Sequence, residues 1–264
     1  MEDRLDAPRL SVIMPVYNEA PTVARAVARV REVPLDIEII CVDDASTDDT
    51  AAILGDLERR RTIDRLIRHE RNRGKGAAVR AGIAAATGDV IVVQDADLEY
   101  DPRELPRLLR PILDGRADAV YGSRFLSGPH RVLYFWHRVG NGLLTLLSNM
   151  LTNLNLTDME TCYKLVRADL LKSLPLSANR FGFEPELTAR LAQANARIFE
   201  THISYNGRTY AEGKKIDWRD GVAAIWHILR FNLLTAPRHR AVDRAPTTPS
   251  ESPGAVAEQE RQDA

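Results

Sequence analysis

Cysteine is scarce in this chain: Cys41 and Cys162 are the two among 264 residues. Two distant thiols make neither a disulfide framework nor a four-thiolate metal site, and no secretory pattern opens the acidic N-terminus, so a reducing, cytoplasmic setting is expected. An excess of one charge is missing as well. Lys and Arg number 36 against 37 Asp and Glu, so no overall field favours nucleic acid, and any anion must be bound locally. Long apolar runs are absent too. The longest uncharged stretch, Val139 to Thr157, is broken by Asn141, Asn149, Asn153 and Asn155. It falls short of the roughly 20 mostly apolar residues that a spanning helix needs, and no transmembrane segment is expected.

What is present suffices for one sizeable core, since 44% of residues are hydrophobic. One main domain over 1–235 is expected. Residues 236–264 contain no aromatic and repeated prolines, and read as a disordered tail. Short apolar runs read as buried strands: "LSVIMP" (Leu10 to Pro15), "IEIICV" (Ile37 to Val42), "RLIRH" (Arg65 to His69), "DVIVVQ" (Asp89 to Gln94) and "DAVYG" (Asp118 to Gly122). Helical patterns lie between them at about Ala20 to Arg31, Asp48 to Arg60, Gly76 to Ala86 and Arg103 to Leu113. This alternation predicts an α/β fold with a doubly wound, mostly parallel sheet, whose ligands bind at the carboxyl ends of the strands.

The rhythm changes beyond Gly128. His130 to Asp158 suggests one or two amphipathic helices, "RFGFEPELTARLAQA" places Pro185 and two glutamates at a helix start, and a strand at about Ala196 to Ser204 precedes a last helix, Trp218 to Leu234. That last helix carries Val222, Ile225, Trp226, Leu229 and Leu233 at helical spacing. Either it packs on the core or, with the aromatics and cations of "HRVLYFWHR", it docks peripherally on a bilayer.

Polar chemistry gathers where the strands end. In "DADLEYDP", Asp101 before Pro102 reads as a cap for the next helix. Asp95, Asp97 and Glu99, at alternate positions, would repel one another without a cation, and such hard oxygen ligands suit Mg²⁺ or Mn²⁺. Asp43 and Asp44 could cap the following helix with Ser46 and Thr47, or accept hydrogen bonds from a ribose or base. "RNRGKGAAVRAG" (Arg71 to Gly82) lacks the full phosphate-loop pattern; Lys75 is either a solvated turn residue or a phosphate contact. Arg208, Lys214 and Lys215, among glycines, form a basic loop that is either solvated surface or a clamp for a phosphorylated substrate.

Taken in order, "SVIMPVYNEA", "VDDASTDDT", "NRGKGAAVRAG", "DADLEYDP", "GSRF", "DMETCYK" and "RTYAEGKK" closely resemble the inverting family-2 glycosyltransferases, among them the dolichol- and polyprenol-phosphate sugar synthases. The resemblance covers about Leu10 to Leu234 and implies a GT-A fold with acceptor-side amphipathic helices. The donor it implies is a nucleotide-diphosphate sugar of the GDP-mannose or UDP-glucose type, used with Mg²⁺ or Mn²⁺. It places Pro15, Tyr17, Glu19, Val42, Asp43, Asp44, Asp95 and Ala96 around the nucleotide. Asp97 and Glu99, beside Asp95, are the metal ligands it implies, and Arg124, Arg208 and Lys214 lie near donor or acceptor phosphates.

The acceptor implied is a polyprenyl phosphate at the inner face of the cell membrane. A lipid phosphate is already an anion and requires no strong base. A hydroxyl acceptor on a glycan would need one, for which Asp158, Glu184 and Glu186 are the candidates. Asp158 matches the family's acceptor-side acid, but "METCYK" follows it where many mannose synthases carry Ser-Gly-Phe-Arg. A third reading is an idle nucleotide-binding or membrane-interaction module.

Overall fold

A computed structural model describes residues 8–126, 131–132, 134–208 and 218–235, without the side chains of 218–220. Residues 127–130, 133 and 209–217, which include Lys214 and Lys215, and the segment 236–264 expected as a tail fall outside the described residues.

Three apolar strands build the centre. β1 (Leu10–Val16), β2 (Ile37–Asp43) and β4 (Val90–Val93) are buried almost throughout, because helices cover both faces of a parallel sheet. β3 (Arg65–Arg68) extends one edge, and β5 (Ala119–Ser123) and β7 (Ile198–His202) form the other. Between the two groups lies β6 (Lys164–Arg167), giving the order β3-β2-β1-β4-β6-β5-β7. β6 pairs antiparallel with both β4 and β5, and the other pairings are parallel.

The helices packed on this sheet are α1 (Val23–Arg31), α2 (Thr50–Arg59), α3 (Lys75–Ala85), α4 (Leu105–Leu113), α5 (Phe135–Thr152), α6 (Ala168–Ser173), α7 (Phe183–Gln193) and α8 (Trp218–Leu229). A π-helical turn, Arg230–Leu234, extends α8. α4 is preceded by a 3₁₀ turn, Pro102–Glu104, whose cap is Asp101: its side chain accepts from the Arg103 amide, with proline first in the turn, as the sequence indicated. Ser46 and Thr47 do not cap α2. Asp48 Oδ1 accepts from the Thr50 amide, while Ser46 and Thr47 tie their loop to Asn18, so the segment staples two strand ends together.

β6 and α6 were not foreseen. A four-residue strand containing Lys164 interrupts the apolar pattern, yet Lys164 is buried, its ammonium donating to the Thr161 carbonyl at 2.5 Å and lying 5.0 Å from the centre of the Tyr121 ring. Chain order reverses between β1 and β4, which are adjacent although β2 and β3 intervene in sequence. The crevice at the carboxyl end of that switch point is where an open α/β sheet binds its ligand.

α5 and α8 pack against one another and leave an apolar face uncovered. Phe135, Trp136, Leu143, Leu146 and Met150 are exposed on α5, and Val222, Ile225, Trp226, Leu233 and Leu234 on α8 and its extension. Ile228 and Phe231, on the other side of α8, are fully buried. The last helix therefore both packs on the core and presents apolar surface. Among the described residues no helix is long and apolar enough to cross a membrane.

Candidate functional site

Backbone strain marks the carboxyl edge. Asn18, Ala45 and Leu98, which follow β1, β2 and β4, all have left-handed φ, at 54°, 61° and 66°. Alanine and leucine seldom adopt this region, and such residues collect at functional sites. At Leu98 the reversal closes a turn in which the Glu99 amide donates to Asp97 Oδ1 at 3.1 Å, so both acids stay at the crevice.

The acids after β4 are divided between two cations. Lys75 donates to Asp95 Oδ2 at 2.9 Å and lies 3.2 Å from Glu184 Oε1. Burial works against its charge, but Asp95, Cys162 and Glu184 outweigh burial and hold its ammonium above the ordinary lysine range. Lys75 is thus neither solvated nor a free phosphate contact. Arg208 faces Glu19, Asp97 and Glu99 at 3.5, 3.4 and 3.4 Å. Glu99 latches that segment, accepting from the Arg208 amide at 2.9 Å and from the Tyr205 hydroxyl at 2.7 Å.

One guanidinium does not neutralise this corner. Burial, Asp95 and Glu99 push Asp97 up to about 7 in spite of Arg208. Such surplus negative charge fits a divalent cation. Among the described residues no three acidic, histidine or cysteine side chains converge to cage a metal unaided. Mg²⁺ and related ions commonly take one or two carboxylates and complete their shell with water and substrate phosphates. Asp97 and Glu99 suit that partial role, while Asp95 is drawn towards Lys75.

The acids after β2 point inward. Asp43 Oδ1 accepts from the Ser46 amide, and Asp44 accepts from the Arg73 and Gly74 amides and contacts His69 Nδ1 at 2.7 Å. Both carboxylates are buried and shape the strand-end loops. Pro15 and Val42 stand opposite one another in the β1–β2 register, Ala96 is buried, and the Tyr17 side chain is exposed above them. The glycines of "RGKG" serve packing. Gly74 has φ +90°, and a Cβ there would fall 2.4 Å from the Asn179 carbonyl oxygen; one on Gly76 would fall 2.5 Å from that of Ala178. With the Arg73 and Gly74 amides spent on Asp44, this loop is not a phosphate cradle.

Arg124, just beyond β5, forms the acceptor-side group. Its Nε and NH2 donate to the two oxygens of Asp158 at 2.7 and 2.8 Å, its amide donates to the same carboxylate at 3.0 Å, and Asn141 Nδ2 adds a bond at 3.2 Å. Asp158 is fully buried and surrounded by donors. The Arg124 guanidinium also lies 5.2 Å from the centre of the Tyr205 ring, whose hydroxyl binds Glu99. One aromatic residue therefore joins the two halves of the site. Asn141 belongs to α5, the helix with the exposed apolar face.

The remaining acids differ in availability. Glu186 accepts from the Ser177 amide and hydroxyl and the Ala178 amide, and so braces a loop. Glu184 faces Lys75. Glu160 was not singled out from the sequence; its one signal was the unusual "METCYK" segment. Its Oε1 is buried without a hydrogen-bond partner. Burial and neighbouring Glu184 push Glu160 up to about 7, with Lys164 and Arg124 opposing.

Comparison with known proteins places this geometry. The model of the family described as glycosyl transferase family 2 matches residues 11–174. An undecaprenyl-phosphate mannosyltransferase of Micrococcus luteus is 32% identical over 246 residues, covering 85% of this chain and 99% of its own. A dodecaprenyl-phosphate galacturonate synthase of Rhizobium johnstonii is 28% identical over 80% of this chain and 63% of its own. The crystal structure of glucosyl-3-phosphoglycerate synthase from Mycobacterium tuberculosis, in complex with Mn²⁺, UDP and glucosyl-3-phosphoglycerate, superposes with a TM-score of 0.63. It shares 22% identity, over 85% of this chain and 80% of its own. The fold is therefore of the GT-A type anticipated from the motifs.

Proposed function

The chain belongs to glycosyl transferase family 2, and on that premise we propose that it moves a sugar from a nucleotide-diphosphate donor to a polyprenyl phosphate at a bilayer surface, inverting the anomeric centre. The observation that carries the acceptor assignment is the position of α5. The helix that sets Asn141 against the Arg124–Asp158 pair exposes Phe135, Trp136, Leu143, Leu146 and Met150 on its opposite face, so one element carries both a contact to the cation and an apolar surface. A lipid phosphate joins those two chemistries in one molecule. The names of the Micrococcus and Rhizobium relatives point to the same acceptor class.

The nucleotide is assigned to the crevice between β1 and β4, with Pro15, Tyr17, Glu19, Val42, Asp95 and Ala96 placed around it by the resemblance, while Asp43 and Asp44, turned inward, brace the strand-end loops instead of meeting a ribose or base directly. Asp97 and Glu99 would hold Mg²⁺ or Mn²⁺, which supplies charge stabilisation for the departing β-phosphate. Arg208, already at that corner, adds a guanidinium to the leaving diphosphate, where negative charge grows as the glycosidic bond breaks. Arg124 orients the acceptor phosphate, held in place by Asp158. Lys214, outside the described residues, remains assigned to the phosphates by resemblance alone.

Of the three acids the sequence offered as a base, Asp158 is saturated with donors, Glu186 braces a loop and Glu184 faces Lys75. This favours an acceptor that brings its own anionic oxygen. That oxygen attacks the anomeric carbon as the bond to the β-phosphate breaks, and no proton need be removed.

Purified protein incubated with labelled nucleotide sugars, Mn²⁺ and polyprenyl phosphate in anionic vesicles should yield an acid-labile glycolipid. Product formed solely on hydroxyl acceptors would refute the lipid-phosphate assignment. Absence of nucleotide-sugar binding by calorimetry, alongside strong vesicle binding, would refute the enzymatic one.

A further inference from the structure

Near the acceptor pair lies a carboxylate with one oxygen that has no hydrogen-bond partner. Glu160 lies in the segment entering β6. Because β6 runs antiparallel to β4 and β5, its entrance meets the edge at which those strands end. Asp158 and Arg124 are its charged neighbours on the acceptor side, and Glu184 and Lys164 on the other. Each of these has a partner already. Asp158 and Arg124 hold one another, Glu184 faces Lys75, and Lys164 donates to the Thr161 carbonyl. Oε1 of Glu160 is buried and accepts nothing, although the residue as a whole is only partly buried.

A buried acceptor without a donor is rare in native proteins and calls for a partner from outside the fold. Resting on the transferase reading above, we propose that Glu160 reads the donor's sugar ring, accepting hydrogen bonds from its hydroxyls and selecting a neutral hexose over a uronic acid. The transferred sugar must lie between the leaving diphosphate, assigned to the corner of Asp97, Glu99 and Arg208, and the acceptor phosphate at Arg124. Glu160, whose charged neighbours include Arg124 and Asp158 and which enters the sheet at the edge where β4 and β5 end, is assigned to that interval. Hydroxyl groups supply the donors that Oε1 lacks. A uronate would instead bring a carboxylate against Asp95, Asp158, Glu160 and Glu184, which Lys75, Arg124 and Lys164 leave one charge in excess.

The competing role for such a carboxylate is that of a general base, and binding separates the two. Wild-type protein and Glu160→Gln, both with Mn²⁺, are titrated calorimetrically with UDP, UDP-glucose, UDP-glucuronate, GDP and GDP-mannose. The nucleoside diphosphates should bind both proteins equally. The preferred nucleotide hexose should bind Glu160→Gln about tenfold more weakly, the magnitude of one charge-assisted hydrogen bond, and the preference for hexose over uronate should shrink. Since Glu160 accepts no bond at Oε1, the variant should melt no lower than wild type.

Equal hexose affinity in the two proteins would overturn the proposal: with turnover lost it would make Glu160 a base, and with turnover kept it would leave Glu160 no role. Weakened binding of the bare nucleoside diphosphates, or a lowered melting temperature, would overturn it in favour of a structural role. Wild-type protein that binds none of the five compounds would instead overturn the transferase assignment on which the proposal rests.

Discussion

Replacing Asp158 by asparagine tests whether the acceptor-side arginine is held as described. The Asp158 side chain is 0% exposed and that of Arg124 15%, so solvent does little to compensate either charge. Asparagine retains one acceptor oxygen and turns an NH₂ towards one of the two guanidinium donors now at 2.7 and 2.8 Å. Removing one partner of a buried pair commonly costs about 3–5 kcal/mol, because the other charge is left uncompensated. With a urea slope of about 3 kcal/mol per molar, that loss lowers the unfolding midpoint by about 1 M or more. The measurement is equilibrium unfolding of the ligand-free protein at pH 7, with unchanged slope as the check on two-state behaviour. Arg124→Met should fall similarly, whereas Arg124→Met combined with Asp158→Leu should be more stable than either single variant, since no unpaired charge remains. A loss below about 1 kcal/mol for Asp158→Asn, or simple additivity in the pair, would refute the view that these groups depend on one another.

Two further outcomes follow from the acidic segments. Asp97→Ala should abolish sugar transfer while Asp101→Ala retains it and lowers stability by about 0.5–2 kcal/mol, the worth of a helix cap; unfolding curves and a radiolabel transfer assay distinguish them, and equal catalytic damage would mean that the roles are wrongly divided. Glu160 sets a pH dependence: the folded protein takes up a proton at about 7, against the ordinary 4.5, so this group's contribution is present at acid pH and lost as pH rises through about 7. The interval amounts to at most about 3 kcal/mol at 1.36 kcal/mol per pH unit. Unfolding free energies of wild type and Glu160→Gln between pH 5 and pH 8 should therefore diverge in favour of the variant as pH rises, at about the pH values given.

The sequence made some of this legible for local reasons. β1, β2 and β4 are short apolar runs, β1 continuing one residue past the expected stop at Pro15, and the Asp101-Pro102 pair specifies its turn without outside help. Contacts distant in sequence were not legible. Gly74 and Gly76 suggested phosphate binding until Ala178 and Asn179, about a hundred residues on, were seen against them. Lys75 could be read two ways because Asp95 and Glu184 approach it from different elements. The motifs identified the family and the acidic edge, but Glu160 stands out only in three dimensions, where its neighbours have found partners and it has not. β6 escaped notice because burying Lys164 requires Tyr121 and the Thr161 carbonyl, neither of which a hydrophobic pattern records.

The place of β6 also orders the protein's biosynthesis. Its two neighbours, Val90–Val93 and Ala119–Ser123, leave the ribosome first, yet neither can pair across the gap until Lys164–Arg167 follows. Until then the nascent chain presents two unpaired strand edges, templates for wrong partners. A polypeptide ending before Lys164 would keep those edges, and is expected to aggregate more readily than the full chain when expressed alone.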